Sequence, residues 1–167
     1  TRQFNAMLDQ IDQLMIDIRR QEETTRQYQL QALSSQINPH FLYNTLDTII
    51  WMAEFQDSQR VVQVTKSLAT YFRLALNQGK DLICLSDEIN HVRQYLFIQK
   101  QRYGDKLEYE IAENPAFDNL VLPKLVLQPL VENALYHGIK EKEGQGHIRV
   151  SVQKQDSGLV IRIEDDG

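Results

Sequence analysis

The spacing of apolar residues in this 167-residue chain changes along its length, and that change dictates two kinds of architecture in one polypeptide. As far as Asn77 the apolar residues recur every three or four positions, which is helical. From Gly79 onward, helical stretches are interspersed with segments that alternate apolar and polar residues, which is the pattern of half-buried strands. An all-α or an all-β domain is therefore excluded, and the chain is read as α+β and multidomain, with helices first and a mixed layer second.

Residues 1 to about 35 read as one long helix whose seam is Phe4, Met7, Ile11, Leu14 and Ile18. Continued in register, that seam reaches Gln21, Thr25, Tyr28, Ala32 and Ser35 and weakens, while Leu30, Leu33 and Ile37 start a displaced stripe. A shift of this kind changes the supercoil locally and suits a signalling joint. A coiled coil also predicts a homodimer.

The run Gln36-Ile37-Asn38-Pro39-His40-Phe41-Leu42-Tyr43-Asn44-Thr45-Leu46 follows. Pro39 either kinks a continuous helix or opens a new one with Asn38 as its cap, and both options deform the backbone beside His40. At a helix start the positive end of the macrodipole favours neutral imidazole, which has a lone pair for nucleophilic attack. Asn44, four residues on, reaches the same ring. A second helix from Ser58 to Asn77 carries Val61, Val64, Leu68, Tyr71 or Phe72, and Ala75 on one side, and the short link near Gln56 and Asp57 makes the pair an antiparallel hairpin. Two hairpins together would bury the apolar faces as a four-helix bundle in a dimer.

In the second half, Ser86-Asp87-Glu88 marks a helix start and Gly104 its end. Leu107–Ile111, Ile148–Val152 and Leu159–Ile163 read as strands, and a helix is expected from about Pro123 to about Tyr136. The layer predicted is an α/β sandwich with helices on one sheet face. Asn133, His137 and Lys140, spaced by four and three, form one polar face if that helix continues. An amide oxygen suits Mg²⁺, and His and Lys suit phosphate oxygens. Asp165 after the last strand can accept from an exocyclic amine, and Gly167 permits close approach.

Composition limits the alternatives. A net charge of -5, with no cluster of Lys and Arg, argues against nucleic-acid binding. The single cysteine, Cys84, excludes an intrachain disulfide and suits a reducing compartment. No apolar run is long enough to span a bilayer.

The run around His40 resembles the phosphoacceptor signature of sensor histidine kinases of the LytS/YesM-like family. Tyr95-Leu96-Phe97-Ile98-Gln99 with Arg102-Tyr103-Gly104-Asp105 resembles that family's connecting helix, Leu130 to Gly138 its N box, Asp165-Asp166-Gly167 the start of its G1 box, and Phe4-Asn5-Ala6-Met7 the end of a HAMP relay linker. The resemblance implies a relay coiled coil over residues 1–33, a dimerisation and phosphotransfer hairpin over 34–80, and a partial ATP-binding domain of the GHKL type over 81–167. It implies that His40 takes the γ-phosphoryl group of ATP and passes it to an aspartate of a response regulator. It also implies Asn133 as the Mg²⁺ ligand with Glu132 beside it, and Asp165 as the adenine reader. His137 and Lys140 as phosphate contacts extend the reading by helical spacing. The chain would be the cytoplasmic portion of a membrane-anchored bacterial sensor, truncated before the family's later glycine motifs and ATP lid, with weak nucleotide binding expected at this length.

Two departures from the family pattern stand out. Phe41 occupies the place where many histidine kinases carry an acid, and Asp47 lies roughly 10 Å further along the helix axis, so the general base is either Glu132 or absent. Pro129 stands where related ATPases often carry a water-activating glutamate, which disfavours simple hydrolysis. The competing readings are a catalytically inactive dimeric signalling scaffold and a metal sensor built from His40, His91, His137 and His147.

Overall fold

A computed structural model of the chain describes residues 38–76, 81–155 and 158–167. The coiled-coil seam and register shift expected over residues 1–33 lie outside the described residues, as does the tip of the turn at Asp156 and Ser157. Residues Pro39–Gly167 form one compact unit.

Helix α1 spans Pro39–Glu54. Asn38 is not helical and Pro39 is the first residue of the helix, so Pro39 opens a helix here. In that position its missing N–H costs no intrahelical bond. The helix ends on Gln56, whose φ of 58° is left-handed, with Gln56 N donating to Ala53 O and Asp57 N to Met52 O, both at 3.0 Å. This is the paired bonding of a Schellman turn, here without glycine. The Asp57 carboxylate accepts from Arg60 N at 3.2 Å and so caps the start of α2, Ser58–Leu76. The short turn folds the two helices into a hairpin, with Phe41, Met52, Val64, Leu68, Tyr71 and Ala75 buried.

Strand β1, Leu82–Cys84, leads into α3, Leu85–Tyr103. The helix starts one residue before Ser86, and no side chain caps it. Leu85 N instead donates to Leu120 O at 2.7 Å and Ser86 N to Asp118 O at 3.2 Å. The helix stops at Gly104, as expected, with φ 59°. Helix α3 covers the inner face of the hairpin. The Phe41 ring lies 4.8 Å from that of Tyr71 and 5.1 Å from that of Tyr95, and the Tyr71 ring stacks on His91 at 4.3 Å. The other face of the hairpin leaves Tyr43, Leu46, Ile50, Trp51 and Phe55 exposed.

The main sheet contains β2 (Leu107–Ala112), β4 (Gly146–Gln155) and β5 (Gly158–Asp165) in the order β2-β4-β5. Strands β2 and β4 are parallel, whereas β4 and β5 are antiparallel. One face carries Ile148 and Val150, which pack under Val131, Leu135 and Ile139. Glu110 and Arg149 lie exposed on the other face, 3.6 Å apart. Helices on one sheet face, as read from the alternation, are therefore observed.

The helix expected from Pro123 requires a correction. Val121–Pro123 is strand β3, paired antiparallel with β1, and Pro123 sits at its end, where an absent N–H is tolerated. Leu125 then takes a φ of 58°, which no helix can include. Helix α4 begins only at Gln128, runs to Asn133, and continues as a π-helix over Ala134–Ile139.

Candidate nucleotide cleft and phosphoacceptor

His40 lies in the first turn of α1 and is exposed. The Asn44 side-chain nitrogen stands 3.2 Å from its Nδ1 and 3.1 Å from its Nε2. A neutral imidazole has one nitrogen that accepts and one that donates, so this amide can donate to the accepting nitrogen and hold the ring. Phe41, in the position where an acid would serve as base, is buried to 2 % exposure between Tyr71 and Tyr95. It anchors the helix start, and the neighbouring imidazole projects outward.

The second group of residues meets where α4 and its π continuation cross β5. A cleft of about 670 Å³ is lined there by Leu130, Asn133, Ala134, His137, Gly138, Ile161, Ile163, Asp165 and Gly167, with Val160 and Arg162 at its edge. Register explains why Asp165 is present. It pairs with Ile148 at the end of β5, in phase with Ile161 and Ile163 opposite Val152 and Val150, so it continues the helix-covered face of the sheet. Gly138 is required for the crossing, because a Cβ on it would come within 2.4 Å of Asp165 Oδ1. A Cβ on Gly167 would in turn run into the Gly138 backbone, and the Gly167 N–H donates to Asp165 Oδ1 at 3.2 Å.

The structure brings together Asn133, His137, Asp165 and Gly167. It does not bring Lys140 with them. The i→i+5 bonding of the π-helix widens the turn, so position i+7 no longer returns to the face of Asn133. The Lys140 ammonium lies over the Tyr136 ring at 5.6 Å, and its carbonyl accepts from Lys106 Nζ at 2.9 Å. Glu132 does not line the cleft either. Its carboxylate accepts from Gln128 Nε2 at 2.8 Å and faces the helices. There Tyr71 has a hydroxyl pKa pushed up by burial first and by the Glu132 charge second.

Asp166, beside the cleft residue, is bound elsewhere. It accepts from His147 N at 2.8 Å and pairs with Lys142 at 3.0 Å, contacts that hold its carboxyl below the usual range. The four histidines do not converge. His40 is on the hairpin, His91 is buried at the α2–α3 contact, and His137 lines the cleft. Among the described residues no three His, Cys, Asp or Glu side chains form a cage for a metal ion. Sequence reasoning missed the apolar wall of Leu130, Ile161 and Ile163, although the alternation in β5 was its signal, and it missed the structural demand on Gly138.

The apolar wall, the terminal carboxylate and the Asn133 amide give the cleft the size and character of a small-molecule site, mostly apolar with a few polar groups. Among the described residues no helix is long and apolar enough to cross a membrane.

Residues 28–107 match the histidine kinase family model. The chain is 32% identical over 99% of its length to the sensor histidine kinase YesM of Bacillus subtilis, covering 29% of that protein. It is 36% identical over 88% of its length to the sensor histidine kinase BtsS of Escherichia coli, covering 26% of it, and 31% identical over 88% to the sensor protein LytS of Bacillus subtilis, covering 25%. The chain thus spans between a quarter and a third of the length of these relatives. With the His40 helix inside the matched region and these relatives aligned over 88% to 99% of its length, the chain belongs to the LytS/YesM-like family of sensor histidine kinases.

Proposed function

We propose that the natural polypeptide carrying this chain phosphorylates itself on His40 from Mg-ATP and passes the group to an aspartate of a response-regulator receiver domain. The observation that carries this reading is the exposed His40 imidazole held by Asn44 at 3.1 to 3.2 Å in the first turn of α1. Attack by the ring nitrogen lone pair forms an N–P bond as the P–O bond to the ADP leaving group breaks, and the ring proton leaves from the other nitrogen. Phosphoryl transfer asks little covalent chemistry of the protein beyond positioning and charge neutralisation.

In the cleft, Asp165 accepts from the adenine amino group, Leu130, Ile161 and Ile163 enclose the ring, and His137 meets phosphate. Asn133 at the mouth would hold Mg²⁺ through its amide oxygen, and the ion supplies neutralisation of phosphate charge. Glu132 is the proposed proton acceptor. Within one copy it faces the buried Tyr71, on the side of α1 away from the outward His40 imidazole, so it would serve only on the hairpin of a second copy. Lys140 would reach phosphate only if the π segment rewound. The exposed row of Tyr43, Leu46 and Ile50 on α1 supports pairing with a second copy, giving a homodimer that moves each cleft against a hairpin. Attachment to a membrane would come through segments outside this chain.

The test is incubation of the natural polypeptide with Mg-ATP. Acid-labile, base-stable phosphate on the wild type and none on His40→Gln is expected. Acid-stable label, or label that survives His40→Gln, overturns the assignment, and an unlabelled wild type favours a catalytically inactive scaffold.

A further inference from the structure

Glu88 has no role in the reaction just described, yet it is fully buried. Its Oε2 accepts from Leu125 N at 2.9 Å and its Oε1 from Leu127 N at 2.8 Å. These two N–H groups belong to the turn that delivers the chain into α4. Leu125 holds the left-handed φ of 58°, and Leu127 O accepts the first helical bond from Val131 N at 3.1 Å. A single carboxylate therefore fixes the approach to the helix that carries Asn133 and continues to His137 and Gly138. Its negative charge also lies at the positive end of that helix.

Glu88 itself sits in the first turn of α3, the helix on which the His40 hairpin rests through Phe41, Tyr71 and Tyr95. One side chain thus ties the element touching the phosphoacceptor hairpin to the element lining the cleft. A carboxylate suits this task because both its oxygens accept, whereas glutamine would turn an NH₂ toward one of two N–H donors. The plain alternative is a buried acid that merely stabilises the turn.

We propose that Glu88 is a positioning residue that sets the placement of α4 relative to α3, and through it the affinity of the cleft for nucleotide. The part concerning nucleotide rests on the function proposed above. The part concerning placement does not.

The test is Glu88→Gln, read by amide hydrogen exchange without nucleotide and by KM for Mg-ATP in His40 labelling of the natural polypeptide. Exchange should accelerate about tenfold or more across residues 125–139, while β4 and β5 stay within about twofold. KM should rise about fivefold or more, with the labelling rate at saturating Mg-ATP within about twofold of wild type. Uniform acceleration through the sheet, unchanged exchange at 125–139, or an unchanged KM overturns the proposal. Selective exchange in a protein whose wild type takes no label refutes the kinase reading and leaves the placement role supported. If the Gln variant fails to fold, Glu88→Asp, which keeps the charge but not the reach to both donors, gives the same readouts.

Discussion

His91 offers a quantitative test of how the hairpin rests on α3. Its side chain is 1 % exposed, and neither ring nitrogen has a hydrogen-bond partner in the protein. Its neighbour in the stack is Tyr71, and burial is the cause that moves the imidazole's titration. Burial lowers the His91 pKa from 6.5 to about 4. The unfolded chain therefore binds a proton more readily than the folded one, and stability falls as pH drops through 6.5 toward 4. The complete gap is worth about 3 kcal/mol below both values, and about 2 kcal/mol is already lost at pH 5. Above pH 7 the effect is negligible. Urea unfolding at pH 7 and pH 5, followed by circular dichroism, should show wild type losing about 2 kcal/mol more than His91→Phe, which keeps the ring stack without the titration. Equal losses in the two proteins, within about 0.5 kcal/mol, would refute the argument and place water or a partner group at the imidazole.

Other perturbations separate chemistry from scaffold. His40→Gln should abolish label while shifting the urea midpoint by no more than about 0.5 kcal/mol of stability, because the imidazole is exposed. Gly138→Ala places a methyl group 2.4 Å from Asp165 Oδ1 and should weaken nucleotide binding by about tenfold or more, measured by titration with Mg-ADP; unchanged affinity would remove Asp165 from the adenine subsite. Gln56→Gly relieves the left-handed residue at the hairpin turn and should raise stability by about 1 kcal/mol in thermal melts, with no change in labelling.

Some of the site was legible in the residues because its parts are local. His40 and Asn44 are one helical turn apart, so their contact needs only the helix that the apolar spacing already demands. Asp165 and Gly167 follow a strand whose alternation is plain. Lys140 shows where this reasoning stops. Its place beside Asn133 and His137 assumed α winding, and the chain winds as a π-helix where Gly138 must meet Asp165 across the sheet end. The start of α4 failed for a similar reason, since residues 121–123 pair with a strand 37 to 41 positions earlier, in the register Leu82 to Pro123. Nothing within a local window distinguishes a helix beginning at Pro123 from a strand ending there.

The periodicities, the hairpin, the strand alternation and the two groups of chemically capable residues are legible in the residues alone, because each depends on neighbours within a few positions. Tertiary structure decided which face Glu132 presents, that α3 rather than a second hairpin covers Phe41 and Tyr71 within the chain, and that Glu88 holds a turn 37 to 39 residues away. Those outcomes depend on packing between distant segments, where burial and unpaired backbone donors select one arrangement from many that local spacing permits.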